Sequence, residues 1–209
     1  MAKKKKIQKT TFILSFITLA SFIYKLTLGI LTTSQVLLIA SVSTLMVFIC
    51  KILFVKNVLA TRDDKKKAYF FMCLATFIYS LIFIAFVVLK VNGIDISNNK
   101  TYDGWVGALF IGFMILMFIL SIIGLKGSLE KTDLMVIGLK EITFISALAD
   151  LVIIEEFVSR IIRKYVTSID LTLLNYIDSY IALGVGIVMS IVSLAMFVRF
   201  FRYKGTKKQ

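Results

Sequence analysis

Blocks of apolar residues, each about the length of a membrane crossing, set the strongest limit on what this chain can fold into. Residues 12–31, 36–55, 68–89, 105–125, 134–157 and 177–201 form six such blocks, separated by short charged or polar segments. About 20 helical residues at 1.5 Å each span a hydrocarbon core of roughly 30 Å. A lone spanning segment has to satisfy its own backbone hydrogen bonds, so each block is expected to be a helix. The apolar residues follow neither a helical nor a strand period, which sets them apart from the faces of soluble amphipathic elements. The expected fold class is therefore all-α, a polytopic transmembrane bundle of about six membrane-spanning helices. Of the 209 residues 59% are hydrophobic, against roughly 45–50% in a soluble domain, which supports the same reading.

The domain organisation follows directly. Residues 1–11 form a basic tail with Lys3, Lys4, Lys5, Lys6 and Lys9, residues 12–201 a single transmembrane domain, and residues 202–209 a second basic tail. Basic residues followed by an apolar block also describe a signal peptide. The block at 12–31 is longer than a signal-peptide core of about 7–15 residues, and Thr18-Leu19-Ala20 is a poor cleavage site, so the block is expected to remain as helix 1. Only Thr32, Thr33, Ser34 and Gln35 separate the first two blocks, which predicts an antiparallel hairpin. Asn92-Gly93 marks a turn in the 90–104 loop.

Lys and Arg are concentrated in the N-terminal tail, the 56–67 segment and the C-terminal tail. The positive-inside rule then puts both termini in the cytoplasm of a cell-membrane protein. Arg160, Arg163 and Lys164 are the exception, since six crossings leave them on the outer side. The formal net charge of +13 points to anionic lipid of the cytoplasmic leaflet and not to nucleic acid, because the positive charges flank apolar blocks. A homo-oligomer or a second membrane protein is the other expected partner.

The chain contains no histidine. This excludes His-ligated metal hydrolysis, Ser/His or Cys/His nucleophilic pairs and haem ligation by histidine. No proline is present either, which favours fairly straight helices. Cys50 and Cys73 lie inside apolar blocks and read as small buried side chains. No metal site, cofactor or catalytic residue is expected, and the chain reads as a non-enzyme.

Helix 5 differs from the rest. It carries Lys140, Glu141, Asp150, Glu155 and Glu156, and charge exposed to lipid costs roughly 2.5–3.5 kcal/mol per residue at mid-membrane. This helix is therefore expected to be enclosed by the others or to line a wet cavity. At 100° per residue, Thr143, Ser146 and Asp150 share a face, with Lys140 beside it. Asp150 and Lys25 fall at similar depths in helices running the same way, so they are expected to face each other. Lys51 and Glu141 are a second candidate pair, both near the cytoplasmic ends of their helices. Glu155, Glu156 and Arg160 form a candidate charge cluster at the outer interface, with Glu156 and Arg160 four apart. A solvated helix end is the expected form of this cluster. Gly104, Ala108 and Gly112 on helix 4, and Ala182, Gly186 and Ser190 on helix 6, are expected packing seams.

Glu155-Glu156-Phe157-Val158-Ser159-Arg160 reads EExxxR, which resembles the first motif of the CAAX-protease and bacteriocin-processing membrane family. There the leading Glu helps activate a water. The resemblance covers six residues, and the histidines that family uses in later helices have no counterpart, so no protease activity is assigned. Three functional classes follow: a small transporter or permeation-type protein using the polar residues of helix 5; a non-catalytic accessory, partner-binding or immunity-type protein; and a degenerate CAAX-protease-like protein. Transport requires Asp150 to face a hydrated cavity. An accessory role requires it to be dry and paired.

Overall fold

Polar residues at the block boundaries start the helices. Ser34 caps one helix by accepting a hydrogen bond from the Leu37 amide, Thr61 caps the next by accepting from the Asp64 amide, and Asp133 caps a third by accepting from the Met135 amide. Asp63 and Asp64 add negative charge to the first turn after Thr61, where it complements the helix dipole. The computed structural model describes residues 2–32, 34–92, 105–129, 133–166 and 171–203, and among these all regular structure is helical. The six helices are α1 (Ala2–Thr32), α2 (Gln35–Asn57), α3 (Arg62–Val91), α4 (Trp105–Leu129), α5 (Leu134–Tyr165) and α6 (Leu171–Arg202).

The helices run past the apolar blocks at most ends. An apolar block marks the part suited to a hydrocarbon layer, while a helix continues until its capping residues stop it. The 32 residues of α5 extend about 48 Å, well beyond a hydrocarbon core of roughly 30 Å. Among the described residues, four helices are long and apolar enough to cross a membrane: Ile7–Leu31, Gln35–Asn57, Arg62–Val91 and Leu173–Arg202. Ile111–Gly127 in α4 is apolar but shorter, and the charges of α5 set that helix apart. Four such helices indicate a membrane location.

Consecutive helices alternate in direction. Gln8 of α1 donates to the Val55 carbonyl near the far end of α2. Lys65 pairs with Asp133 at 3.3 Å, joining the starts of α3 and α5. The Arg62 guanidinium lies 5.8 Å from the Tyr203 ring, joining the start of α3 to the end of α6. One end of the bundle therefore gathers Lys56, Arg62, Lys65, Lys66, Lys67, Lys126 and Arg202, and is called the basic end below.

The centre of the bundle is α5, which packs against α2, α3, α4 and α6. None of its residues 134–157 is exposed. The sequence expectation that this helix is enclosed is thus met in the structure. The α1 backbone packs on α2 alone, and α4 on α5 alone, so both present wide apolar faces outward. Between α3 and α6, Phe70, Phe77 and Phe197 meet edge to face, and a Cβ added at Gly186 would lie 3.0 Å from Ile84. The α6 stripe of Ala182 and Gly186 is therefore a close-packed seam, as small residues allow in lipid. The α4 stripe is not one at Gly112, where an added Cβ would meet nothing; Gly104 lies outside the described residues.

Candidate functional site

Asp150 lies midway along α5 on the side turned to α2, and Lys25 reaches it from α1. The Lys25 Nζ donates to Asp150 Oδ1 at 2.6 Å and to Thr44 Oγ1 of α2 at 3.0 Å. Lys25 is 3% exposed and Asp150 9%. Thr44 passes its own proton to the Ala40 carbonyl at 3.0 Å, so its hydroxyl is already committed. One helical turn earlier on α5, Ser146 Oγ lies 3.1 Å from Ser43 Oγ, both buried. The expected pair is thus brought together, and α2 supplies a threonine beneath it that the sequence reading did not select. A buried ion pair holds only with good geometry and further hydrogen bonds, and this site has both.

The other predicted residues take different places. Thr143 is half-buried and donates to the Leu139 carbonyl of its own helix at 2.7 Å. Lys140 lies against Gly124 of α4, outside the Asp150 site. Glu141 is buried but does not pair with Lys51. Its carboxylate accepts from Arg199 of α6 on one oxygen and from the Tyr69 hydroxyl of α3, at 3.2 Å, on the other. Lys51 turns instead to α1, donating to the Thr18 hydroxyl. The physical reason lies in rotation about the helix axes: depth alone allowed Lys51 and Glu141 to meet, but the face of α2 bearing Lys51 turns to α1. Arg199, inside the last apolar block, is a residue the sequence reading did not select, and it points back into the bundle.

At the far end the expectation of a solvated charge cluster fails. Glu156 and Ser159 are buried, and Glu155 is half-buried. The Ser159 hydroxyl lies 2.5 Å from Asp178 Oδ1 and 3.2 Å from Glu155 Oε1. Arg163 donates to the second Asp178 oxygen at 3.0 Å and to the Asn175 side chain at 2.6 Å. Asp178 near the start of α6 covers Ser159, while Arg163 further along α5 stays exposed. Asp178 was not anticipated, and its place as the second residue of the last apolar block was the available signal. The Arg160 side chain lies outside the described part of the molecule.

Among the described residues no group of three or more His, Cys, Asp or Glu side chains is placed to hold a metal ion. Cys50 and Cys73 are both free and buried. Apart from one Glu155 oxygen, every buried side-chain nitrogen or oxygen in this set has a hydrogen-bond partner. The polar face of α5 is thus consumed by contacts within the bundle. No family model, curated protein or solved structure matches the chain.

Proposed function

We propose that this chain is a multi-pass cell-membrane protein of the non-catalytic accessory or partner-binding kind, whose intramembrane charges lock its own helices together. One observation carries the reading: Lys25, only 3% exposed, bonds to both the buried Asp150 and Thr44. A permeation path along α5 needs water at Asp150 and an unmet polar group for a substrate to engage. Here the ammonium engages both the carboxylate and the threonine hydroxyl. A catalytic role needs a nucleophile within reach of a base, and the proton of Thr44 is already committed to the Ala40 carbonyl. The EExxxR segment gives no better support to an enzyme, since Ser159 within it bonds to Asp178.

In this reading all six helices cross the membrane and both termini are cytoplasmic. The gathering of lysines and arginines at one end of the bundle supports that orientation. The wide apolar faces of α1 and α4 are the surfaces available to lipid or to a partner helix.

The decisive experiment compares wild type and Asp150→Asn in proteoliposomes for proton and alkali-cation flux, alongside cross-linking and mild-detergent purification from native membranes. The expected result is no flux above empty vesicles and a partner recovered in fixed stoichiometry. Flux that Asp150→Asn abolishes overturns the proposal in favour of transport. Single cysteines at Lys66 and at Asn92, tested with a membrane-impermeant thiol reagent on intact cells, check the orientation: only position 92 should label.

A further inference from the structure

A cleft of about 540 Å³ opens on the outside of the bundle where α3 and α6 meet at the basic end, lined by Asp63, Lys66, Lys67, Phe70, Phe71 and Phe200. Its chemistry is graded along the helix axis. Lys66 and Lys67 precede Phe70 and Phe71 by four residues, so each lysine stands one turn above a phenylalanine on the same helix face. Phe70 and Phe200 close the wall between the two helices, their rings 5.2 Å apart, while Phe71 is 61% exposed and offers its ring to whatever lies beside the bundle. The Lys66 ammonium lies over the Phe200 ring at 5.2 Å, which holds its charge at the mouth of the cleft. Neither Lys66 nor Lys67 forms an ion pair among the described residues. The nearby acidic side chain, Asp63, stands on the rim.

We propose that this cleft binds one anionic phospholipid, with its phosphate held by Lys66 and Lys67 and an acyl chain laid along Phe71 and the Phe70–Phe200 wall. The charge gradient selects the class. A zwitterionic lipid brings its own cation beside the two lysines and leaves their charge uncompensated, and a free phosphate ion leaves the aromatic wall uncovered. Asp63 disfavours a headgroup of high negative charge and accepts a hydrogen bond from a hydroxyl, which suits phosphatidylglycerol. The proposal requires only that the chain lies in a membrane. It depends neither on the accessory role nor on which side the basic end faces.

Native mass spectrometry of the full chain in detergent tests it, with phosphatidylglycerol and phosphatidylcholine of identical acyl chains as probes. The expected result is one phosphatidylglycerol retained in preference to phosphatidylcholine. Lys66→Gln with Lys67→Gln should weaken retention by roughly tenfold or more, given the typical attraction of each basic side chain to anionic lipid. Lys56→Gln with Lys126→Gln removes the same charge from the same end and should change retention by less than about twofold. Phe71→Ser should also weaken the lipid, while glycerol 1-phosphate should not bind at matching concentration. Equal losses in the two lysine pairs, equal retention of phosphatidylcholine, or binding of glycerol 1-phosphate would each overturn the proposal. If the Lys66/Lys67 variant melts early, Lys67→Gln alone, an exposed change, carries the same comparison.

Discussion

Lys25 Nζ lies 2.6 Å from Asp150 Oδ1, although 125 residues separate them in the chain. The contact crosses from the outermost helix to the central one, passing Thr44 of α2 on the way. It ties α1 to α5, whose backbones do not pack together among the described residues.

Removing either charge should leave the other buried and unpaired. Asp150→Asn and Lys25→Met should each destabilise the bundle by about 3–5 kcal/mol. The double variant should recover at least half of that loss, since no uncompensated charge then remains. Thermal unfolding in detergent, followed by size-exclusion chromatography, measures this. If the double variant is as unstable as the single ones, the two residues do not act as a pair.

The Glu141 carboxylate joins three helices through Arg199 and Tyr69. Arg199→Leu strands the carboxylate and should cost about 3 kcal/mol or more. Tyr69→Phe removes one hydrogen bond and should cost about 1 kcal/mol. Lys51→Met should have the smaller effect of a half-exposed group. A ranking with Lys51→Met worst would restore the pairing that depth alone suggested.

Two glycines should respond in opposite ways to the same change. A Cβ at Gly138 would lie 2.8 Å from two atoms of the Tyr69 ring, so Gly138→Ala should cost about 1–3 kcal/mol through overpacking. A Cβ at Gly112 would meet nothing, so Gly112→Ala should be neutral or stabilising by up to about 1 kcal/mol through helix propensity. Parallel melting curves decide the matter. A large loss at Gly112 would show that a partner helix sits on α4.

At the far end, the single proton of Ser159 serves the closer carboxylate, Asp178 at 2.5 Å. Asp178→Ala removes the acceptor for Ser159 and Arg163, both nearby on α5, and should cost about 2–3 kcal/mol. Glu155→Gln should be neutral or stabilising, because an amide can donate to the Ser159 oxygen where a carboxylate cannot. Hydrogen exchange at the end of α5 reports both variants. Equal loosening by Glu155→Gln and Asp178→Ala would show that the Glu155 charge, and not the Asp178 contacts, holds the helix end.

The Lys25–Asp150 contact was legible because depth along a straight helix is linear in residue number. Two helices running the same way bring residues at equal fractions of their length to equal height. Glu141 shows the limit of that argument. Lys51 and Arg199 both lie at a suitable height, and the residue count gives no information on which side of α5 each neighbour stands. Glu155 and Glu156 show a related limit. Two Glu at the end of an apolar block read as solvated unless another helix covers them, and α6 begins early enough to do so.

From the order of its residues alone the chain's helical character, the presence of six helices, and the need to enclose the fifth were determined, because backbone hydrogen bonding in lipid and the cost of bare charge act locally along the chain. The partners of Glu141, the burial of Ser159 and Asp178, and the opposite surroundings of Gly112 and Gly138 were decided only by tertiary packing. These depend on the rotation of each helix about its own axis, which is set by side chains from several helices fitting together at once.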